Sequence, residues 1–151
     1  MITFFVPGTP IPKGSAKAFF IKSKATGKHR AIVTQTNNEK QKPWASAVSF
    51  TAQQSQGGRP LIKGPVCLGV SFIMPRPKRH FKTGNNSHLL RDDAESWHTQ
   101  TPDLDKLIRC IKDALTGTVW VDDSQVCLMS PPPSKKYGDR PGVHITVVEM
   151  L

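Results

Sequence analysis

Residues 66–73 read Val66-Cys67-Leu68-Gly69-Val70-Ser71-Phe72-Ile73. Val66, Leu68, Val70 and Phe72 alternate with Cys67, Gly69, Ser71 and Ile73, and apolar side chains fall on both sides. Alternation with a period of two is a strand signal. Apolar character on both faces predicts a strand central in its sheet. Working outward, Ile2 to Val6 reads as a strand closed by the Pro7-Gly8 turn. Residues 18–21 and 30–34 read as two short strands, joined by a basic hairpin over 22–29 with Gly27 near its tip. Asn37 or Asn38 is placed to cap a helix reaching about Gln56, with Trp44, Ala47, Val48 and Thr51 on one face. Gly57-Gly58 and then Pro60 end it. Gln125 to Met129 is a strand interrupted by Pro131-Pro132-Pro133, and Val143 to Val148 is a closing strand.

Leu104, Leu107, Ile108, Ile111 and Leu115 recur at helical spacing, and Gly117 follows as a stop. The chain therefore reads as α+β: one compact domain over residues 1–151, a mixed β-sheet with two main helices packed on it. Between the central strand and the second helix, residues 75–101 form a long loop. A loop of that length in a small domain is usually functional or mobile.

The formal net charge is +10. Such an excess points to a polyanionic partner. Its distribution says more. Residues 1–91 carry fifteen basic side chains and a single acid, Glu39. Residues 103–123 carry five Asp against Lys106, Arg109 and Lys112. An acidic island in a basic field is unlike a uniformly basic binding module. Cys67, Cys110 and Cys127 show no C-x-x-C pair and no disulfide framework, so all three are expected as buried thiols in a reducing cytoplasm. The apolar start stops at Pro7, too short for a signal peptide or a membrane span.

Four of the eleven acidic residues stand in two tight pairs, Asp103-Leu104-Asp105 and Asp122-Asp123. Neighbouring carboxylates repel unless a cation lies between them. Pro102 keeps the segment before it out of helix. Asp103 is then expected at the helix cap and Asp105 in the first turn, with Leu104 turned inward. Capping also favours Asp at a helix start, and it explains one of the two better than both. Asp105, Arg109 and Asp113 recur every four residues, the pattern of a solvated salt-bridge ladder. A short return segment after the helix can bring Asp122-Asp123 back beside the first pair. The converging carboxylates would offer oxygen ligands to Mg²⁺. One or two such ions can hold a scissile phosphate, lower the pKa of a bound water and offset charge on the leaving oxygen.

Residues 102–126, PDLDKLIRCIKDALTGTVWVDDSQV, closely resemble the RusA family of Holliday-junction resolvases, with its D-x-D-N, its helix ending in D-A-L and its W-x-D-D-x-Q-V. The resemblance extends to VPGTPIPKGS near the start, to VCLGVSFIMPRP and to the closing VHITVVEM. It implies a homodimeric, Mg²⁺-dependent endonuclease that cuts four-way DNA junctions by paired, symmetric nicks. It implies that Asp103, Asp105 and Asp123 are the metal-binding catalytic acids, with Asp122 as a supporting neighbour. Two positions depart from the pattern. Lys106 stands where the family has Asn, and Arg109 stands where it often has Lys. Arg109 keeps the positive charge of that catalytic position but does not readily give up its proton.

The basic groups expected on DNA are Lys13, Lys17, Lys106 and, in the long loop, Arg76, Lys78 and Arg79; Lys22, Lys24, Lys28 and Arg30 add to the hairpin. Phe19, Phe20 and Trp97 have the chemistry to stack on bases, whereas Trp120 reads as core behind the Asp pair. His80, His88 and His98 share the loop without zinc-ligand spacing, so phosphate contact or exposure is expected of them. Two other readings fit the same residues. One is a non-catalytic, basic DNA-binding recombination accessory protein whose Asp residues serve caps and turns. The other is a nuclease acting on other branched DNA.

Overall fold

The structure, a computed structural model, describes residues 1–35 and 38–151. Strand β1 (Ile2–Pro7) is followed by a hairpin of β2 (Ala16–Lys22) and β3 (His29–Gln35). Helix α1 (Asn38–Gln56) leads to β4 (Val66–Pro75), and after the long loop come α2 (Leu104–Leu115), β5 (Val126–Met129), β6 (Ser134–Gly138) and β7 (Gly142–Glu149). The main sheet runs β1-β7-β4-β5, and β6 also pairs with β4. It is mixed: β7 is antiparallel to both β1 and β4, while β5 and β6 run parallel to β4. Together with its two helices this is one α+β domain.

The central place predicted for β4 holds, because it has partners on both edges. Its two faces differ. Val66, Leu68, Val70, Phe72 and Met74 are buried, whereas Cys67, Ser71 and Ile73 are only half-buried. The buried set joins Ile2, Phe4 and Val6 of β1 and Val143, Ile145 and Val147 of β7 to make the floor of the core. From α2, Leu107, Cys110, Ile111, Ala114 and Leu115 complete that core with Trp44, Val48 and Ala52 of α1. Truncating a fully buried side chain such as Phe72 to Ala would cost about 3–5 kcal/mol.

α1 ends as its sequence requires. Gly57 and Gly58 both take positive φ (60° and 77°), the left-handed exit that glycine permits. Of its two candidate caps, Asn37 lies outside the described residues. The strand after Gln125 is broken where Pro131-Pro132-Pro133 cannot donate to a ladder. It then resumes as β6 along the same edge of β4, which the sequence reading had not assigned. Gly69 lies under the break: a Cβ there would stand 2.8 Å from the Ser130 carbonyl oxygen.

The loop over 75–101 is built rather than loose. Residues 96–98 run beside β6, with Tyr137 N–H donating to Ser96 O (2.9 Å) and His98 N–H donating to Lys135 O (3.2 Å). His80 and His98 flank the Tyr137 ring at centroid distances of 4.6 and 4.8 Å. His80 is therefore buried, contrary to the exposure expected of it. Cysteine burial also needs correction: Cys110 is buried, Cys67 is half-buried and Cys127 is exposed. Burial, and then Asp113, push the Cys110 thiol up to about 11.

Candidate active site

α2 carries the first acidic pair at its N-terminal end. Asp103 is the N-cap, with extended φ/ψ of −69° and 143°, and Asp105 lies in the first turn. Leu104 between them packs against the core. Both carboxylates are left exposed, as the spacing predicted. The Asp103 side chain makes no capping hydrogen bond. It faces Lys106 instead, at 3.6 Å. Capping therefore does not account for Asp103.

The second pair divides differently. Trp120 is fully buried, and its indole N–H donates to Thr116 Oγ1 (3.1 Å), so it is core. Val121 N–H donates to Ile62 O (3.3 Å), which fixes the return segment. Asp122 then caps a short 3₁₀ turn over Asp123–Gln125. Its carboxylate accepts from Ser124 N–H (2.8 Å), and Gln125 Oε1 accepts from the backbone N–H of Asp122 (2.8 Å). Hydrogen bonds from Ser124, with Lys112 nearby, hold the Asp122 carboxyl below the usual carboxylate range. The Gln125 amide in turn donates to Ile62 O (3.0 Å) and Gly64 O (2.8 Å), anchoring the turn to the segment before β4. Asp123, the next residue, stays half-exposed and faces Lys112 at 3.9 Å.

Two clefts flank this end of α2. One, of ≈ 400 Å³, is lined by Lys13, Lys40, Asp103 and Lys106 among others. The other, of ≈ 330 Å³, holds Asp105, Arg109 and Lys112 against Val126 and Leu128 of β5. Asp105 and Lys112 are seven residues apart, about 10 Å along the helix axis. Lys112, which faces Asp123, lines the same cleft as Asp105.

Among the described residues the charge ladder expected along the helix does not form. Asp113 pairs with Lys13, and among the described residues neither Asp105 nor Asp113 forms an ion pair with Arg109. The loop that carries Lys13 is docked on α2, with Lys13 N–H donating to Lys106 O (3.0 Å). The other cations expected on DNA fall into two groups. Lys17, Lys78 and Arg79 are exposed. Arg76 is instead engaged within its own loop: it donates to Glu95 O (2.9 Å), contacts His80 Nδ1 (3.3 Å) and lies over the Tyr137 ring. Lys40 and Lys112 line the clefts and had not been singled out; nothing in their local sequence marks them.

For a divalent cation the donors are of the right kind, hard carboxylate oxygens open to solvent. They are not gathered: among the described residues no three His, Cys, Asp or Glu form a ready metal-holding group. Lys106 and Lys112 instead hold Asp103 and Asp123.

Residues 7–148 match the model of the family described as Endodeoxyribonuclease RusA. The chain belongs to the RusA family. It is accordingly an endodeoxyribonuclease, a hydrolase of DNA, and the RusA family acts on branched DNA and resolves Holliday junctions. RusA nucleases are generally metal-dependent. A similar protein is the Uncharacterized protein YqaN of Bacillus subtilis (strain 168), 30% identical over 152 residues, which are 99% of this chain and 96% of that one. Among the described residues no helix is long and apolar enough to cross a membrane.

Proposed function

We propose that this RusA-family nuclease resolves four-way DNA junctions with Mg²⁺ as cofactor, cutting as a homodimer in the cytoplasm by paired, symmetric nicks. The observation that carries the reading is the divided fate of the acids. Asp122 is bonded into its turn, while Asp103 and Asp105 keep exposed carboxylates that line two basic clefts and half-exposed Asp123 faces Lys112 of the second.

In this reading Asp103, Asp105 and Asp123 hold the cation, which when bound makes a water molecule acidic enough to act as nucleophile and offsets charge on the scissile phosphate. Lys106 and Lys112 leave their carboxylates and turn to the DNA phosphates. Arg109, beside Asp105 in its cleft, binds the phosphate as a permanent cation, since guanidinium does not serve as a proton donor near neutral pH. Lys13, Lys17, Lys78 and Arg79 contact the backbone of the arms, where phosphate contacts give register and shape recognition without base sequence. Cutting leaves a 5′-phosphate and a 3′-hydroxyl.

A synthetic four-way junction, incubated with the protein in Mg²⁺ and separately in chelator, tests this. The expected result is symmetric nicks in opposing strands in Mg²⁺ and binding without cutting in chelator. Binding with no cutting under any divalent metal would instead favour an accessory DNA-binding role. Equal cutting of flaps or forks would move the substrate to other branched DNA.

A further inference from the structure

Lys135 lies on β6, outside the acidic segment, and among the described residues its ammonium forms no ion pair with a carboxylate. It donates to the carbonyl oxygens of Gln100 (2.6 Å) and Pro102 (2.7 Å). Pro102 directly precedes Asp103. Hydrogen bonds with a charged donor are shorter and roughly twice as strong as neutral ones. On its other side, the Asp103 carbonyl accepts from Leu107 N–H (3.2 Å), a bond of the first turn of α2. The backbone of Asp103 is thus held from both sides, by the helix after it and by one lysine before it.

The strand that supplies the lysine is well anchored. β6 pairs with β4 from Ser134 to Gly138, and Tyr137 is buried between His80 and His98. The same strand also binds the approach to the site, through Tyr137 N–H to Ser96 O and His98 N–H to Lys135 O. Central sheet, β6, Lys135 and the Pro102 carbonyl form one continuous chain of contacts ending at Asp103.

We propose that Lys135 is a positioning residue for Asp103: its ammonium fixes the backbone ahead of α2 so that the Asp103 carboxylate stands at the mouth of its cleft. This rests on the cation-holding role proposed for Asp103. It differs from the ordinary expectation for a basic residue here, which is direct contact with a DNA phosphate.

The test compares wild type with Lys135→Met, which keeps the stem and loses the donors, and Lys135→Arg, which keeps donors and charge. Three quantities are read: amide hydrogen exchange over residues 100–107 without metal, junction binding in chelator, and the Mg²⁺ concentration giving half-maximal cutting. Lys135→Met should speed exchange over 100–107 and leave junction binding near that of wild type. It should also raise the half-maximal Mg²⁺ concentration about 10–100-fold, as loss of an outer-shell support does. Lys135→Arg should recover most of both changes. If Lys135→Met does not fold, Lys135→Gln, whose one amide can reach one carbonyl, should show intermediate values. Unchanged exchange and Mg²⁺ dependence in a folded variant would overturn the proposal. So would a loss of junction binding in chelator that matches the loss of cutting, which would make Lys135 a phosphate contact. The exchange measurement needs no catalysis, and cutting by wild type tests the nuclease reading separately.

Discussion

At the start of α2, Asp103 occupies the N-cap and its carboxylate makes no capping bond. Further along the chain, Asp122 occupies the N-cap of a 3₁₀ turn and its carboxylate accepts from Ser124 N–H. The two aspartates hold the same kind of position with opposite outcomes. What differs is the third residue on. A capping box needs an acceptor side chain at that place to take the N-cap's own N–H. After Asp122 it is Gln125, which accepts and then donates onward to Ile62 and Gly64. After Asp103 it is Lys106, which has no acceptor atom and faces the Asp103 carboxylate instead. One carboxylate is bonded into its turn, and the other is left without a capping bond.

The largest effects are expected at the open pair. If Asp103 and Asp105 hold the cation as proposed, Asp103→Asn or Asp105→Asn removes an electrostatic contribution on the order of several kcal/mol, so cutting should fall by roughly a thousandfold. Junction binding in chelator should persist in both, because a charge facing phosphate is lost. Full cutting by either variant would put that residue outside the site.

Next comes the support of the closed pair. Gln125→Leu takes the amide donor from the Gly64 carbonyl and leaves Ile62 O with Val121 N–H alone, and a denaturant titration should show a loss of about 1–3 kcal/mol. A variant as stable as wild type would mean that the turn stands without this anchor. Smaller again is the reverse exchange at the open pair. Lys106→Gln supplies the missing acceptor and should draw Asp103 toward the helix, adding up to about 1 kcal/mol of stability while slowing cutting. Unchanged melting temperature and unchanged rate together would sever the link drawn between the third residue and the fate of the acid.

The smallest effect concerns pH. Burial, and then the charge of Lys135, pull His98 below its ordinary value of 6.5. The unfolded chain then takes up a proton in a range where the folded protein does not. Stability is fully present above the unfolded value and declines as pH falls from there toward the folded value. Thermal melts between pH 7 and 5 should show that decline in wild type and a shallower one in His98→Gln. Equal slopes would show that His98 does not contribute.

Much of this architecture was readable because it rests on periodic patterns. The alternation in β4 and the leucine stripe of α2 both carry their burial in their spacing. β6 was not readable, because Ser134-Lys135-Lys136-Tyr137-Gly138 lies on a strand edge with one buried side chain, Tyr137. The packing of His80 and His98 around that ring joins residues distant in sequence and follows no period. At the site, the spacing placed Asp103 and Asp105 on an exposed helix start. It did not reveal that Asp113 would find Lys13 across the chain rather than Arg109 one turn away. Nor did the D-D pair show which acid is closed into its turn, since that depends on the backbone geometry around Gln125.

In the proposed mechanism Asp123 serves the chemistry and Asp122 serves the turn. It is tested most directly by cutting one four-way junction in Mg²⁺ with Asp122→Asn and Asp123→Asn side by side. Asp123→Asn should bind the junction, as tightly as wild type or more so, and should not cut it. Asp122→Asn, whose side chain still offers an oxygen to Ser124 N–H, should cut at a rate close to wild type. Equal loss in both variants, or cutting by Asp123→Asn, would contradict it.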